Sequence, residues 1–305
     1  MTTVLAVDIG GTKLAAAVVD EDGALGERRT VPTPDSDDAE EVWAALADLV
    51  GPAGGLGVSA CGVGCGGPME PGGEAVSPLN IGAWRGFPLR DRLAAATGVP
   101  VFVDNDAKAL ALGEGWRGAA AGVRDFIAMV VSTGVGGGIV LDGRLLDGAA
   151  GNAGHIGHVI VEPSGEWCRC GARGCLEAMA SGPSIARMTG RAPEEAGASV
   201  RRRTGRLVGR AVADVANLLD LRLAVVGGSV ALGFGAEFFA AAQAELDARA
   251  RISFSAGARI VPAGLGDAGP LVGAAAVALR GLGVSLLGGD GGGDAVPGAG
   301  RRAGQ

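Results

Sequence analysis

The chain has 305 residues with 33 acidic and 26 basic side chains, and its formal charge of −7 argues against a general nucleic-acid binder. That length allows a large core and two lobes, while no apolar run is long enough and free enough of glycine to span a membrane. The start MTTVLAVDIGGTK lacks a secretory signal, and five cysteines, an odd number, point to the free thiols of a cytoplasmic protein rather than to disulfides.

Val4 to Ile9 reads as a buried strand. It runs through Asp8 into Gly10, Gly11, Thr12 and Lys13, and a second strand, Leu14 to Val19, follows at once. A strand, a glycine turn and a strand differ from the strand-glycine-helix order of a P-loop. Such a hairpin is either an ordinary turn or a cradle offering N–H groups, the Thr12 hydroxyl and the Lys13 ammonium to an anion. Asp8 is placed to hold magnesium through water. A third strand covers Ala24 to Val31, and Asp37 or Asp38 starts a helix reaching Val50. Leu56 to Ala60 reads as a strand opening into a glycine-rich loop, Gly62 to Pro68, which carries Cys65; with Cys61 just before it, these are small buried thiols. Pro88 to Ala96 suits a helix.

Val99 to Val103 is a strand ending in Asp104, Asn105 and Asp106, with a helix over Lys108 to Trp116. Carboxylates at such a strand end either cap the helix or serve a ligand; Asp106 could be a general base and Asn105 a substrate partner. Phe126 to Val131 is a strand followed by STGVGGG, with Thr133, Gly134, Gly136 and Gly137, and then by the strand Ile139 to Leu141. The second half therefore begins like the first, and two facing glycine hairpins would clamp a polyphosphate. Gly151 to Glu177 holds both histidines, His155 and His158, and Cys168, Cys170 and Cys175; these are zinc-type ligands and read as a structural metal knot. Helices follow over Ser184 to Met188 and Ala198 to Leu221. The strand Leu223 to Val226 ends at Gly227, Gly228 and Ser229, suited to the flat face of a nucleotide base. The helix Glu237 to Arg249, the strand Arg259 to Val261 and the helix Pro270 to Arg280 complete the pattern. The glycine-rich segment 283–305 reads as a disordered tail.

DIGGTK, VDNDA at 103–107, STGVGGG at 132–138, HIGH followed by CRCGARGCLE, and VVGGSV at 225–230 together resemble the ROK family of sugar kinases and related repressors, over about Val4 to Leu282. DIGGTK lies so close to the start that no DNA-binding segment is expected before it, which implies the kinase branch. The resemblance implies an α/β, actin-like ATPase (ribonuclease H-like) fold. Its N-terminal lobe would cover 1–116 and its C-terminal lobe 117–282, with the zinc segment 151–177 in the second lobe and a cleft between them. It implies ATP and Mg2+ at Asp8, Gly10, Gly11, Thr12, Lys13, Thr133, Gly134, Gly136, Gly137, Gly227 and Gly228. It implies a hexose or aminohexose against Asn80, Asn105, Asp106, His155, His158 and Glu177, with Asp106 as general base for transfer to the 6-hydroxyl. It implies structural Zn2+ on His158, Cys168, Cys170 and Cys175, with His158 shared between metal and sugar, and a homodimer or homotetramer.

The chain departs from the family's G-E-x-G-H pattern at Gly154-His155-Ile156-Gly157-His158, where a histidine replaces the glutamate that accepts from sugar hydroxyls. Neutral histidine offers one donor and one acceptor, so the sugar should be read differently. The expected activity is glucokinase-like. The alternatives are an amino-sugar kinase, for N-acetylmannosamine (whose kinases share GHIGH) or for 3-amino-3-deoxyglucose with Asp104 or Asp106 beside the ammonium, and a non-catalytic sugar-sensing protein.

Overall fold

The computed structural model describes residues 2–51 and 57–288. Strands β1 (Thr3–Ile9), β2 (Lys13–Asp20), β3 (Arg29–Pro32), β4 (Cys61–Cys65) and β5 (Val101–Asn105) form one five-stranded sheet in the order β3-β2-β1-β4-β5. Strands β6 (Phe126–Val131), β7 (Val135–Leu141), β8 (Arg144–Leu145), β9 (Leu223–Gly227) and β10 (Arg259–Pro262) form a second in the order β8-β7-β6-β9-β10. The two orders are the same. In each sheet a hairpin pairs antiparallel and the next neighbour pairs parallel. The weak sequence repeat is thus a repeated supersecondary unit, and the arrangement is the expected actin-like ATPase fold.

Period-2 alternation builds the layers. Leu5, Val7 and Ile9 of β1 face a core shared with α1 (Ala39–Val50) and α2 (Leu89–Thr97), where Val42, Leu46, Leu89 and Leu93 are fully buried. Each such leucine contributes about 2 kcal/mol through burial. Helix α1 begins where Asp38 accepts from the Glu40 N–H at 2.9 Å. The alternate residues Val4 and Ala6 face α8 (Gly269–Gly281), and by the same alternation Asp8 points to that inner side. In the second sheet, Ile127, Met129 and Val131 face α6 (Ala198–Leu219) and α7 (Ser229–Arg249), while Phe126 and Ala128 face α3 (Asp106–Arg117).

Helices α3 and α8 cross between the sheets. A Cβ on Gly113 would stand 3.0 Å from the Gly273 Cα, so the crossing is backbone against backbone. Helix α3 follows β5 of the first sheet yet packs on β6 and β7; α8 follows β10 of the second yet packs on β1, β4 and β5. The chain-order division near residue 116 separates the sheets but not the helices that cover them. Buried Glu114 locks the crossing by accepting the N–H groups of Ala119, Gly264 and Leu265 at 2.7, 3.0 and 3.1 Å.

Several expected boundaries move. The strand expected at Leu56 to Ala60 is instead Cys61–Cys65, running into the stretch expected as a glycine-rich loop; Leu56 lies outside the described residues. A Cβ on Gly62 would stand 2.8 Å from the Ala278 Cβ and would collide with the Ala274 carbonyl, so this glycine admits α8 rather than a ligand. Helix α7 begins at Ser229, not Glu237, because Gly235, at φ 59°, interrupts it without ending it. Residues Leu286 and Leu287, expected in the tail, pack on the core beside α3 and α8. The tail from 289 lies outside the described residues.

Candidate active site

The catalytic candidates meet where β1, β4 and β5 end. Asp8, Gly64 and Asp104 lie in one register row across these strands. A Cβ built on Gly64 would stand 3.8 Å from the Asp106 Cα and 3.9 Å from an Asp8 carboxylate oxygen. Gly64 therefore lies between the two acids, within contact distance of both. Asp106 is the first residue of α3, and Asn105 caps that helix by accepting the Ala107 N–H at 3.0 Å. Asn105 and Asp106 share the Ala107 N–H, one Asp106 oxygen accepting it at 2.8 Å, while the Asp106 side chain also opens to the cleft. Its carboxylate is reachable by a small molecule yet enclosed by protein on most sides, and this desolvation raises its pKa. Asp8 is raised to about 6, first by burial and then by the Asp106 charge. Two acids are thus held where neither ionises as readily as in water.

The first glycine turn closes with the Gly10 N–H donating to the Lys13 carbonyl at 3.0 Å and the Thr33 hydroxyl donating to the Gly10 carbonyl at 2.7 Å. Thr12 and Lys13 stand exposed at its tip. A Cβ on Gly11 would stand 2.8 Å from the Asn80 Cβ, so this turn lies against the loop expected to contact a sugar. In the second turn, Thr133 is exposed and Gly134 lies beside Glu177. Gly136 and Gly137 belong to β7 and serve packing: Cβ atoms there would stand 3.1 Å from the Ala107 Cβ and from the Ile156 Cγ2, respectively. Gly136 thereby brings β7 against the start of α3, and Asp106 sits between the two turns.

His155 is exposed to the same cleft and near Asn105: a Cβ on Gly67 would be 3.4 Å from the Asn105 Nδ2 and 3.9 Å from the His155 Cε1. Desolvation lowers the His155 pKa, with His158 adding to it and Asp106 and Glu177 opposing it. The His155 and His158 rings lie 5.9 Å apart. Glu177 is partly engaged already, one carboxylate oxygen accepting the Val135 N–H at 3.0 Å. It ties the second glycine turn to the metal knot and leaves its other oxygen for a ligand. Asp104, considered as a partner for a sugar ammonium, faces Lys108 at 3.0 Å and Arg280 at 3.6 Å instead.

His158, Cys168, Cys170 and Cys175 place their ligand atoms within 4.8 Å of one another. The His158 Nδ1 is 3.7 Å from the Cys168 Sγ, and the Cys170 and Cys175 sulfurs are 3.6 Å apart. Ligand–ligand edges of a tetrahedral zinc site are about 3.8 Å for sulfur at 2.3 Å from the metal, so the four fit that ion. Hydrogen bonds from Val161 to Gly174 and from Cys168 to Ala172 close the knot. With Nδ1 in the metal set, the His158 Nε2 remains for another partner. Cys61 lies apart in β4, where burial pushes its thiol up to about 12, consistent with an inert core residue.

A cavity of about 220 Å³ lies beside the second turn, lined by Ser132, Thr133, Pro183, Ala186, Glu194 and Ser229 among others. The Ser132 and Ser229 hydroxyls are 2.9 Å apart at its mouth. Gly228 precedes Ser229 and is seated on the strand before the second turn, where a Cβ would collide with the Val131 carbonyl. Ser229 was expected at such a site, but Pro183, Ala186 and Glu194 had no signal in the sequence, because they come from the segment after the metal-ligand stretch and meet Ser229 only in the fold. Among the described residues no helix is long and apolar enough to cross a membrane.

A family model described as the ROK family matches residues 4–280. The chain is 41% identical over 250 residues to an N-acetylmannosamine kinase of Citrobacter koseri, covering 76% of this chain and 84% of that relative. It is 40% identical over 253 residues to an N-acetylmannosamine kinase of Escherichia fergusonii, covering 76% and 85%. Among solved structures, a ROK family glucokinase from Streptomyces griseus in complex with glucose and AMPPNP matches with a TM-score of 0.80 and 33% identity, covering 91% of this chain and 99% of that one. A ROK hexokinase from Thermus thermophilus matches with a TM-score of 0.79 and 35% identity, covering 92% and 99%.

Proposed function

The chain belongs to the ROK family, and from that premise we propose that it is an ATP-dependent sugar kinase that phosphorylates the 6-hydroxyl of an N-acetylated hexosamine of the N-acetylmannosamine type. The carrying observation is Asp106: a carboxylate open to the cleft, with its pKa raised by desolvation, between two glycine turns and close to His155. The N-acetylmannosamine kinases at about 40% identity support the sugar class.

In this reading the sugar lies against Asn80, Asn105, His155, His158 and Glu177. Asp106 takes the proton of the 6-hydroxyl as that oxygen attacks the γ-phosphorus, and a raised pKa suits that task near neutral pH. Thr12, Lys13, Thr133 and Gly134 hold the phosphates, and the cavity beside Ser229 takes the nucleoside. Asp8 would hold Mg2+ through water, and that ion supplies neutralisation of charge on the β- and γ-oxygens. The zinc set keeps His158 and Glu177 in register. The two sheets act as lobes that close on the substrates and exclude water. His155 donates its N–H to the acetamido carbonyl, where an ionised glutamate could only accept.

A coupled ADP-release assay over glucose, mannose, glucosamine, N-acetylglucosamine and N-acetylmannosamine tests the reading. N-acetylmannosamine should give the highest kcat/KM, and His155→Glu should move the preference toward glucose by about tenfold or more. ADP release that depends on no sugar would support a sugar-sensing protein instead. An unchanged preference in His155→Glu would remove His155 as the sugar reader.

A further inference from the structure

Lys108 is the second residue after Asp106 on α3, and it is almost wholly buried, its side chain 3% exposed. Its ammonium lies 3.0 Å from an Asp104 oxygen, 2.8 Å from an Asp147 oxygen and 3.1 Å from the Gly151 carbonyl. Arg280, near the end of α8, reaches the other oxygens of the same acids, Asp104 at 3.6 Å and Asp147 at 2.9 Å. The four charges form a closed ring of alternating sign. It joins β5, the helix that begins with the base, the crossing helix, and the loop after β8.

That loop is compact. The Ala153 N–H donates to the Asp147 carbonyl at 3.0 Å, and Gly148, Gly151 and Gly154 all have positive φ. It leads directly into His155. Lys108 grips it at two points, a carboxylate and a carbonyl, and a lysine's three donors are matched by three acceptors. A Cβ on Gly154 would collide with the Gly137 carbonyl, so the far end of the loop is also seated, on β7. A buried cation with three partners holds its geometry far better than an exposed pair, because loosening it leaves a charge unpaired in protein.

We infer that Lys108 is a specificity-determining positioning residue: by clamping the 147–153 loop to the base helix, it sets where His155 stands relative to Asp106 and so which sugar is taken. The inference rests on the kinase reading and adds the device that registers the base against the sugar reader. Lys108 touches neither reactant; it acts through the loop. A substitution should therefore alter sugar choice and sugar KM more than turnover or the KM for ATP.

The test measures kcat and KM for glucose and N-acetylmannosamine with Lys108→Met, His155→Ala and the double variant, alongside amide exchange of residues 148–155 in the unliganded protein. Lys108→Met should raise the KM for the preferred sugar about tenfold, change kcat less than about threefold, and speed exchange in 148–155. In the double variant the sugar ratio should match that of His155→Ala alone, because both changes act on one interaction. Asp147→Asn, which removes only the outer anchor, should show the same pattern more weakly and serves if Lys108→Met does not fold. An active wild type with an unchanged sugar ratio in these variants, or unchanged exchange in 148–155, overturns the role of Lys108 alone. A wild type inert with every sugar overturns the kinase reading and the specificity role with it.

Discussion

Replacing Asp8 by asparagine should make the unliganded protein more stable at neutral pH while abolishing its activity. The Asp8 carboxyl, enclosed at the cleft floor with Asp106 facing it, has its pKa raised from 3.8 to about 6. Between about pH 4 and 6 the folded protein therefore holds a proton that the unfolded chain has released. Stability falls as pH rises through that window, and the loss is complete above about pH 7. At 1.36 kcal/mol per pH unit, the change from 3.8 to about 6 corresponds to about 3 kcal/mol. This is an upper value, because Asp8 keeps partial contact with water in the cleft. Asparagine has the same size and no charge to desolvate. Asp8→Asn should recover most of that energy at pH 7.5 and almost none at pH 4, where the native carboxyl is already neutral. For a chain of this length the gain at pH 7.5 corresponds to roughly 5 °C in melting temperature. Thermal melts from pH 4 to 8 without nucleotide or magnesium, paired with ADP-release assays, measure both effects. An asparagine variant that melts no higher than wild type at pH 7.5, or whose gain is the same at every pH, would refute the desolvated-carboxylate argument.

Asp106→Asn should lower kcat by about 10²- to 10⁴-fold while leaving sugar affinity, by calorimetry, within a few-fold of wild type; retained turnover would remove Asp106 as the base. Metal analysis should find about one zinc per chain, lost in Cys175→Ser and kept in Cys61→Ser. A fully active, thermally unchanged protein after zinc removal would contradict a structural role for the knot. Gly62→Ala should cost about 1–3 kcal/mol in denaturant titration, because the added methyl meets the α8 backbone; a neutral result would mean that α8 can shift away freely.

Most strands and helices were legible in the sequence because local patterns encode them, but β4 and β8 were not. The apolar run VLAVDI marked β1 with Asp8 near its end, while the faces taken by Asp8 and by Leu5, Val7 and Ile9 came from the packing on either side. The paired glycine turns showed the repeat before the two identical strand orders were seen. The cluster of His158 and three cysteines was legible because ligand-type residues at close spacing have few other uses, and the fold brings their ligand atoms together. The glycines were read less well. Gly62, Gly136, Gly137 and Gly228 were assigned to loops or ligands, yet each stands where another segment's backbone or side chain comes too close for a side chain. Nothing beside a glycine in sequence names the partner that approaches it in space.

The sequence by itself determined the elements, the two-sheet class and the residue types available for phosphate, proton and metal, because these depend on neighbours a few positions apart. Only the tertiary structure decided which acids open to the cleft and which are neutralised. Asp104 and Asp106 are two residues apart on the chain, but the first is closed into a charge ring with Lys108, Arg280 and Asp147, and the second opens to the cleft. Charge pairing and desolvation depend on segments far apart in sequence meeting at one point. Here that point is where the start of α3 and the end of α8 meet the loop after β8.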